Sequence, residues 1–487
     1  MARSRNRRQF LQESMLAAAL AATTPPELWG DLETPSRSAL DQLGVAVVGV
    51  RGRGNTHLGF FAGRRDVRVL YVCDVDARVR AERVTQVTRR QPGAAPQGAA
   101  DLRQVLDDPR VDVISIATPH HWHALAAIWA MQAGKDVYVE KPVGHNIGEG
   151  RAMIAAADRY RRICQVGLQT RSNPGIRAAM AFLHGGGIGS IDQARITVQG
   201  HSIPTSGDAA DAARHVDYRL WQGPADPAPL TRSRFHHDWH WQWPYGHGLF
   251  GHMGMLPLDL ARWGLGVTDA CQCVQSWGCR SASAARMQTP DTQVAWFDLG
   301  GKTLLMEARL APASPRHTGR SSVVFQGSAG TLEISGLATA VARDGDGHEL
   351  GRFEGQGGSE PHFVNFLKAV RTGNGRELHA DLREGHRSSC FLHLAQISYR
   401  LGCRRSPYDL TDLDSARPEQ LALAAAMHRL NTAFEPSSRS TTGGSIQLGA
   451  SLKWDSQAER ITNHRAANQL LTRSYRAPFI VPAAESV

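Results

Sequence analysis

Beyond its first 40 residues, this 487-residue chain has no uninterrupted apolar run of the roughly 18–20 residues that a membrane span requires. It also lacks any Lys/Arg block interleaved with aromatics, because the formal charge of +10 is carried by dispersed arginines. No integral membrane span is therefore expected. No nucleic-acid partner is expected either, since such surfaces concentrate positive charge along one face. Metal-ligand spacing is missing too. Cys271, Cys273 and Cys279 lie close together, but in a Val/Gln/Ser/Trp stretch that alternates like a strand, with no CxxC or paired-histidine spacing. No metal site is expected. Seven cysteines is an odd number, so at least one thiol stays free.

What the chain does have is enough apolar material, 42% of residues, for two cores, with 21% charged residues to solvate them. Its start reads Arg3, Arg5 and Arg7-Arg8-Gln9-Phe10-Leu11, followed by a soft apolar run from Met15 to Ala22. Paired arginines ahead of Phe-Leu and an Ala-rich segment resemble a twin-arginine signal. Recognition by the twin-arginine export machinery and a periplasmic or otherwise exported location are expected.

Gly44 to Val50 is a short β-branched apolar run, as in a strand buried on both faces. It leads into Gly49-Val50-Arg51-Gly52-Arg53-Gly54 and then Asn55-Thr56-His57-Leu58, which can open a helix. Strand, glycine turn and helix start aim backbone N–H groups and a helix dipole at a pyrophosphate. Arg51 stands where a middle glycine usually permits close approach, and Gly52 is the candidate to take over that role. A second strand, Val67 to Val72, ends in Cys73-Asp74, twenty residues after Gly54. An acid there accepts hydrogen bonds from ribose hydroxyls and repels a 2′-phosphate, which favours NAD, with NADP the alternative. Helical patterns at Ala77–Gln91 and Ala99–Asp107 precede a third strand at Val111–Ala117. Alternating strands and helices imply right-handed crossovers and a doubly wound parallel Rossmann sheet.

Beyond the third strand come Thr118-Pro119, His121-Trp122-His123, Gly134-Lys135-Asp136-Val137 and Glu140-Lys141-Pro142. Later segments are Gln165-Val166-Gly167-Leu168-Gln169, Trp221-Gln222-Gly223-Pro224-Ala225, Tyr245-Gly246-His247-Gly248 leading to Asp259 and Arg262-Trp263, Glu384-Gly385-His386-Arg387-Ser388, and Tyr475-Arg476-Ala477-Pro478. In this order the motifs resemble the Gfo/Idh/MocA oxidoreductase family from about residue 42 onward. The resemblance implies an α/β fold with an N-terminal Rossmann domain and a C-terminal α+β domain built on a large, mostly antiparallel open sheet, which commonly forms a homo-oligomer interface. The expected division is a leader and linker (1–40), the NAD(P)-binding domain (41–160), the substrate and oligomerisation domain (161–435), and a linker with a C-terminal arm (436–487).

The family's activity implies oxidation or reduction of a secondary alcohol on a sugar, cyclitol or sugar derivative. A tightly held NAD is expected, because little free dinucleotide exists outside the cytoplasm. Cofactor contacts are expected from Gly49, Gly52, Arg53, Gly54, Asp74, Thr118 and Pro119. Further contacts are expected from His121, His123, Glu140, Lys141 and Gln169. Lys141 matches the family lysine that touches both cofactor and reacting hydroxyl. The family's acid or amide and its histidine, four residues apart on one helix, read here as His252 and Leu256. Leu256 cannot take a proton, so His252 is the candidate base. The same gap leaves open a non-catalytic sugar-binding protein. Export suits a third reading, glycoside cleavage through transient oxidation by NAD. The aromatic stretch Phe235 to Trp243 offers indole faces and imidazole edges suited to a carbohydrate.

Overall fold

The computed structural model describes residues 42–93, 95–201, 209–268, 271–280, 287–311, 321–405 and 446–487. The expected leader and the Ser/Thr/Gly-rich linker at Ser437–Gly444 lie outside the described residues.

Strand β1 (Leu43–Val48) is buried along its whole length, which is why it reads as a continuous apolar run and not as an alternation. It pairs in parallel with β2 (Val67–Cys73) on one side and β4 (Val113–Ile116) on the other. With β3 (Gln97–Ala99), β5 (Asp136–Val139) and β6 (Cys164–Val166), the sheet order is β3-β2-β1-β4-β5-β6. This doubly wound order puts a topological switch at β1/β4 and leaves a crevice beyond the carboxyl ends of the strands. The helices that cross over are locally specified. Ala77–Arg90 starts at Asp76, whose side chain accepts the N–H groups of Arg78 and Val79. Ile147–Tyr160 starts at Asn146, which accepts the Glu149 N–H.

Two boundaries differ from those expected. Strand β6 carries the first sheet past residue 160, and β3 stands where a helical reading began at Ala99; three residues of Gln-Gly-Ala carry no periodicity to announce a strand. Moreover, the helix Ser359–Thr372 packs on the first sheet, burying Phe363, Phe366, Leu367 and Val370 with Val45, Val47 and Tyr138. Each such side chain contributes about 1.5–3 kcal/mol. That helix belongs energetically to the dinucleotide domain, although 192 residues (167–358) lie between the end of β6 and its start.

The second sheet has 12 strands. Its spine runs β14 (Glu349–Glu354), β13 (Thr339–Asp344), β12 (Gly330–Ser335), β11 (Ser321–Gly327), β7 (Ile191–His201), β10 (Thr303–Ala311), β9 (Thr292–Asp298), β8 (Cys273–Cys279), β16 (Ile446–Leu448) and β15 (Cys403–Arg405). All neighbours are antiparallel except β7 and β10. Helices Pro174–His184, Met255–Gly264 and Leu382–Arg400 contribute to the core on one face. Strands β11 to β13 alternate buried and more exposed residues, the pattern of a sheet with one dry face. The C-terminal arm is not peripheral. Leu452–Asp455 joins β8, and Phe479, Val481 and Val487 pack into the first domain's core.

Candidate active site

A cavity of about 630 Å³ opens where the first sheet's carboxyl edge meets the segment 220–256. Its first-sheet wall comes from Gly49, Gly52, Arg53, Asp74, Thr118, Pro119, His123, Glu140 and Lys141; its other wall comes from Trp221, His236, His237, Trp239, His240, His252 and Leu256, with Gln169 also lining it.

Gly49 sits at φ +78°, and a Cβ there would stand 2.8 Å from the Thr118 N. Only glycine fits this crossing. Gly52 caps the helix Arg53–Ala62 with no side-chain hydrogen bond, and a Cβ on it would meet nothing within 4 Å. The helix therefore presents bare N–H groups to the cavity, the arrangement suited to a pyrophosphate. Gly54 is different. Its Cβ would lie 1.8 Å from the Gly49 carbonyl oxygen, so it permits the turn to close on itself and does not line the cavity.

Asp74 ends β2. One carboxylate oxygen accepts the Val50 N–H at 2.8 Å and the other the Asp76 N–H at 2.9 Å. Burial pushes its carboxyl up, against the pull of these two bonds. Glu140 accepts from Arg53 Nε at 2.7 Å and lies 3.1 Å from His57 Nε2. Burial raises its carboxyl, but Arg53 and His57 outweigh that and hold it well below the usual carboxylate range. Buried, paired and hydrogen-bonded, this charge is fixed.

Lys141 follows at the same strand end. Its Nζ donates to the His252 carbonyl at 2.6 Å and more weakly to the Gly251 carbonyl at 3.4 Å. Burial brings the ammonium down to about 8, with Glu140 opposing the shift and Arg53 adding to it. The His252 ring lines the cavity as expected, but burial, then Lys141 and His237, push its acidity to about 3. Such an imidazole is neutral at physiological pH and a feeble proton acceptor. His252 and Leu256 also do not share one helix: Gly248–His252 and Met255–Gly264 are separate segments, yet both side chains reach the cavity.

His121 is placed elsewhere. Its Nε2 meets the Trp221 carbonyl at 2.9 Å and its ring packs on Trp221 and Tyr245, so it supports the wall without lining it. His123 lines the cavity while its two ring nitrogens face the carbonyls of Pro142 and Thr118, each at 2.9 Å. Within the aromatic stretch, Phe235 and Trp241 are core, Asp238 pairs with Arg234, and the cavity receives His236, His237, Trp239 and His240. Reading the sequence missed His57 as the second grip on Glu140 and His120 as a lining residue, whose Nδ1 lies 3.1 Å from His247 Nδ1. Only position marks them: His57 lies one helical turn after Arg53 (residues 53 and 57), and His120 starts the helix after β4.

The residues fit a dinucleotide. Thr118 Oγ1, Gln169 Oε1 and His240 Nδ1 are buried without a hydrogen-bond partner in the protein, and all three residues line the cavity. Groups left so are satisfied by a ligand or by water. The pyrophosphate would lie at Gly49 and Gly52, and the ribose hydroxyls at Asp74. Among the described residues, the two groups of ligand-type side chains that could hold a metal, His386–Cys390–Glu459 and Asp344–Asp346–His348, do not line the cavity.

Residues 43–168 match the profile of the Gfo/Idh/MocA family, described as an oxidoreductase family with an NAD-binding Rossmann fold. A glycosyl hydrolase family 109 protein of Shewanella pealeana is 28% identical over 176 residues, 33% of this chain. The chain thus spans 39% of that relative's length. Levoglucosan dehydrogenase of Pseudarthrobacter phenanthrenivorans is 28% identical over 243 residues, 49% of this chain and 55% of the relative. Among solved structures, the WlbA dehydrogenase of Bordetella pertussis in complex with NADH and UDP-GlcNAcA superposes with a TM-score of 0.56 at 21% identity, over 74% of this chain and 97% of that one. At that identity the likeness establishes the fold.

Proposed function

Residues 43–168 form a Gfo/Idh/MocA-family, NAD-binding oxidoreductase domain, and from that premise we propose that the protein is an NAD-dependent oxidoreductase acting on a secondary alcohol of a sugar, cyclitol or sugar derivative. The observation that carries this reading is Lys141: a part-buried amine that lines the cavity at the strand end beside the glycine turn, its Nζ 2.6 Å from the His252 carbonyl of the opposite wall and brought down to about 8. NAD, when bound, supplies the hydride acceptor. Lys141 as free amine takes the hydroxyl proton while the carbinol C–H bond breaks; as ammonium it returns that proton in the reverse direction. The carbonyls of His252 and Gly251 orient its Nζ in either state. Because Lys141 carries the proton, Leu256 does not by itself argue for a non-catalytic binder.

Native mass spectrometry tests the cofactor, and a sugar panel followed at the nicotinamide absorbance tests turnover. Bound NAD with turnover of at least one sugar is expected; a protein that retains no dinucleotide overturns the reading. Glycoside cleavage through transient oxidation is a second reading, supported by the relatives that carry the family 109 name. Sugar release without net NADH would favour it, and stoichiometric NADH would exclude it. Export through the twin-arginine route is part of the proposal and rests on Arg7-Arg8-Gln9-Phe10-Leu11. The double change Arg7→Lys with Arg8→Lys should retain the protein in the cytoplasm. Assembly through the more open face of the second sheet is also proposed, and light scattering of the purified protein tests it.

A further inference from the structure

His120 opens the helix that follows β4 and lines the cavity, its ring edge-on to Trp239 at 4.9 Å and 5.7 Å from the His240 ring. Behind it stands His247, which does not line the cavity. The two rings stack at 5.3 Å, with Nδ1 facing Nδ1 at 3.1 Å. Gly251 makes room for this pair: a Cβ there would stand 2.6 Å from the His247 Cβ and 3.3 Å from the His120 Cε1. The Gly251 carbonyl in turn receives Lys141 Nζ at 3.4 Å, so His120 and Lys141 flank the same residue.

Two ring nitrogens at hydrogen-bond distance need one proton between them, and the far end of the chain decides which ring supplies it. His247 Nε2 lies 3.0 Å from the His145 carbonyl, which can only accept, so His247 carries its proton on Nε2. Burial brings His247 down to about 4 and pushes His120 well below its ordinary value, so each ring is neutral and holds a single proton at physiological pH. His247 Nδ1 is therefore bare, His120 Nδ1 donates to it, and His120 Nε2 is left bare in turn. Among the described residues this nitrogen has no hydrogen-bond partner. The chain cannot carry a proton away, because it ends on a carbonyl; it fixes one tautomer of His120.

We propose that His120 is a specificity-determining residue whose Nε2, locked as an acceptor by His247, receives a hydroxyl of the substrate other than the one that reacts at Lys141. The inference rests on the oxidoreductase reading above. An acceptor held at this point selects a sugar that keeps this hydroxyl over one deoxygenated there, because the deoxy form leaves a buried nitrogen unpaired. The nicotinamide ribose is the other source of a hydroxyl, and the test separates the two.

Histidine-selective ¹⁵N labelling of the NAD-loaded protein reads the tautomer directly. The ring signals lost in His120→Phe should belong to an imidazole protonated at Nδ1 and bare at Nε2; His120→Gln serves if that variant does not fold. A proton on His120 Nε2 overturns the proposal whether or not any sugar is turned over. The kinetic arm uses glucose, galactose and myo-inositol, each with its monodeoxy forms. Wild type should lose at least about tenfold in kcat/KM on one deoxy form of a sugar it turns over. His120→Phe should lose a similar factor on the parent sugar and nothing further on that deoxy form, a coupling that a merely structural defect does not produce. His247→Phe, which frees the tautomer from outside the cavity, should shrink the same discrimination. Losses that simply multiply, or weakened NAD binding in His120→Phe, would assign the nitrogen to the fold or to the nicotinamide ribose and overturn the proposal. Failure of wild type to bind NAD removes the oxidoreductase reading and leaves the tautomer result standing.

Discussion

On the first-sheet wall of the cavity, charge is settled before any ligand arrives. Glu140 is gripped by Arg53 and His57, and Asp74 is held by two backbone N–H groups. On the opposite wall, His237, His240 and His252 cluster near Lys141, burial keeps the His240 and His252 rings neutral, and His240 Nδ1 has no partner in the protein. The contrast separates two tasks. A wall of paired, fixed charges suits a cofactor held in one way, whereas a wall of neutral imidazole edges with an unpartnered ring nitrogen is free to hydrogen-bond a substrate. Lys141 stands where the two meet, and its acidity near 8 reflects burial set against Glu140.

Breaking the junction should cost most. Lys141→Met is expected to lower kcat/KM by about 10²–10⁴-fold, the usual worth of a positioned proton carrier, with bound NAD still detected by native mass spectrometry. Wild-type kcat/KM for oxidation should rise with pH and level off above about 8, because only the free amine accepts the hydroxyl proton. A flat profile through that range would remove Lys141 from the proton path.

Next comes the fixed-charge wall. Arg53→Met leaves Glu140 buried with only His57 beside it and should destabilise the fold by about 3 kcal/mol, read as a lowered midpoint in urea. Gly54→Ala forces a Cβ onto the Gly49 carbonyl at 1.8 Å, and overpacking of this kind costs about 1–3 kcal/mol. Gly52→Ala meets no protein atom, so it should leave the urea midpoint in place and weaken NAD binding alone. If Gly52→Ala instead unfolds the protein, the turn is structural and not a phosphate cradle. The smallest effect is expected on the substrate wall. His252→Ala should reduce turnover by no more than about tenfold, roughly 1.4 kcal/mol, because Lys141 uses the backbone carbonyl of His252 and not its ring. Abolished turnover would restore the imidazole as the base.

The glycine turn, Asp74, the Glu140-Lys141 strand end and the parallel sheet were legible because each is a local pattern: a buried strand, a turn that only glycine can make, an acid at a fixed distance. Gly54 and His121 were legible as motif positions but not as roles. The first faces the carbonyl of Gly49, and the second faces that of Trp221. Nor does any local feature announce that the helix Ser359–Thr372 docks on the first sheet or that the arm's Phe479, Val481 and Val487 enter its core.

The dinucleotide fold and the sheet edge at which the cavity opens follow from sequence alone, because short-range sterics and hydrophobic periodicity set strands, turns and crossovers. Tertiary structure alone decided which histidines reach the cavity, that His252 stays neutral, and that Lys141 sits near 8. Those properties depend on burial and on charges brought from residues about a hundred positions apart along the chain, and no window of sequence contains them.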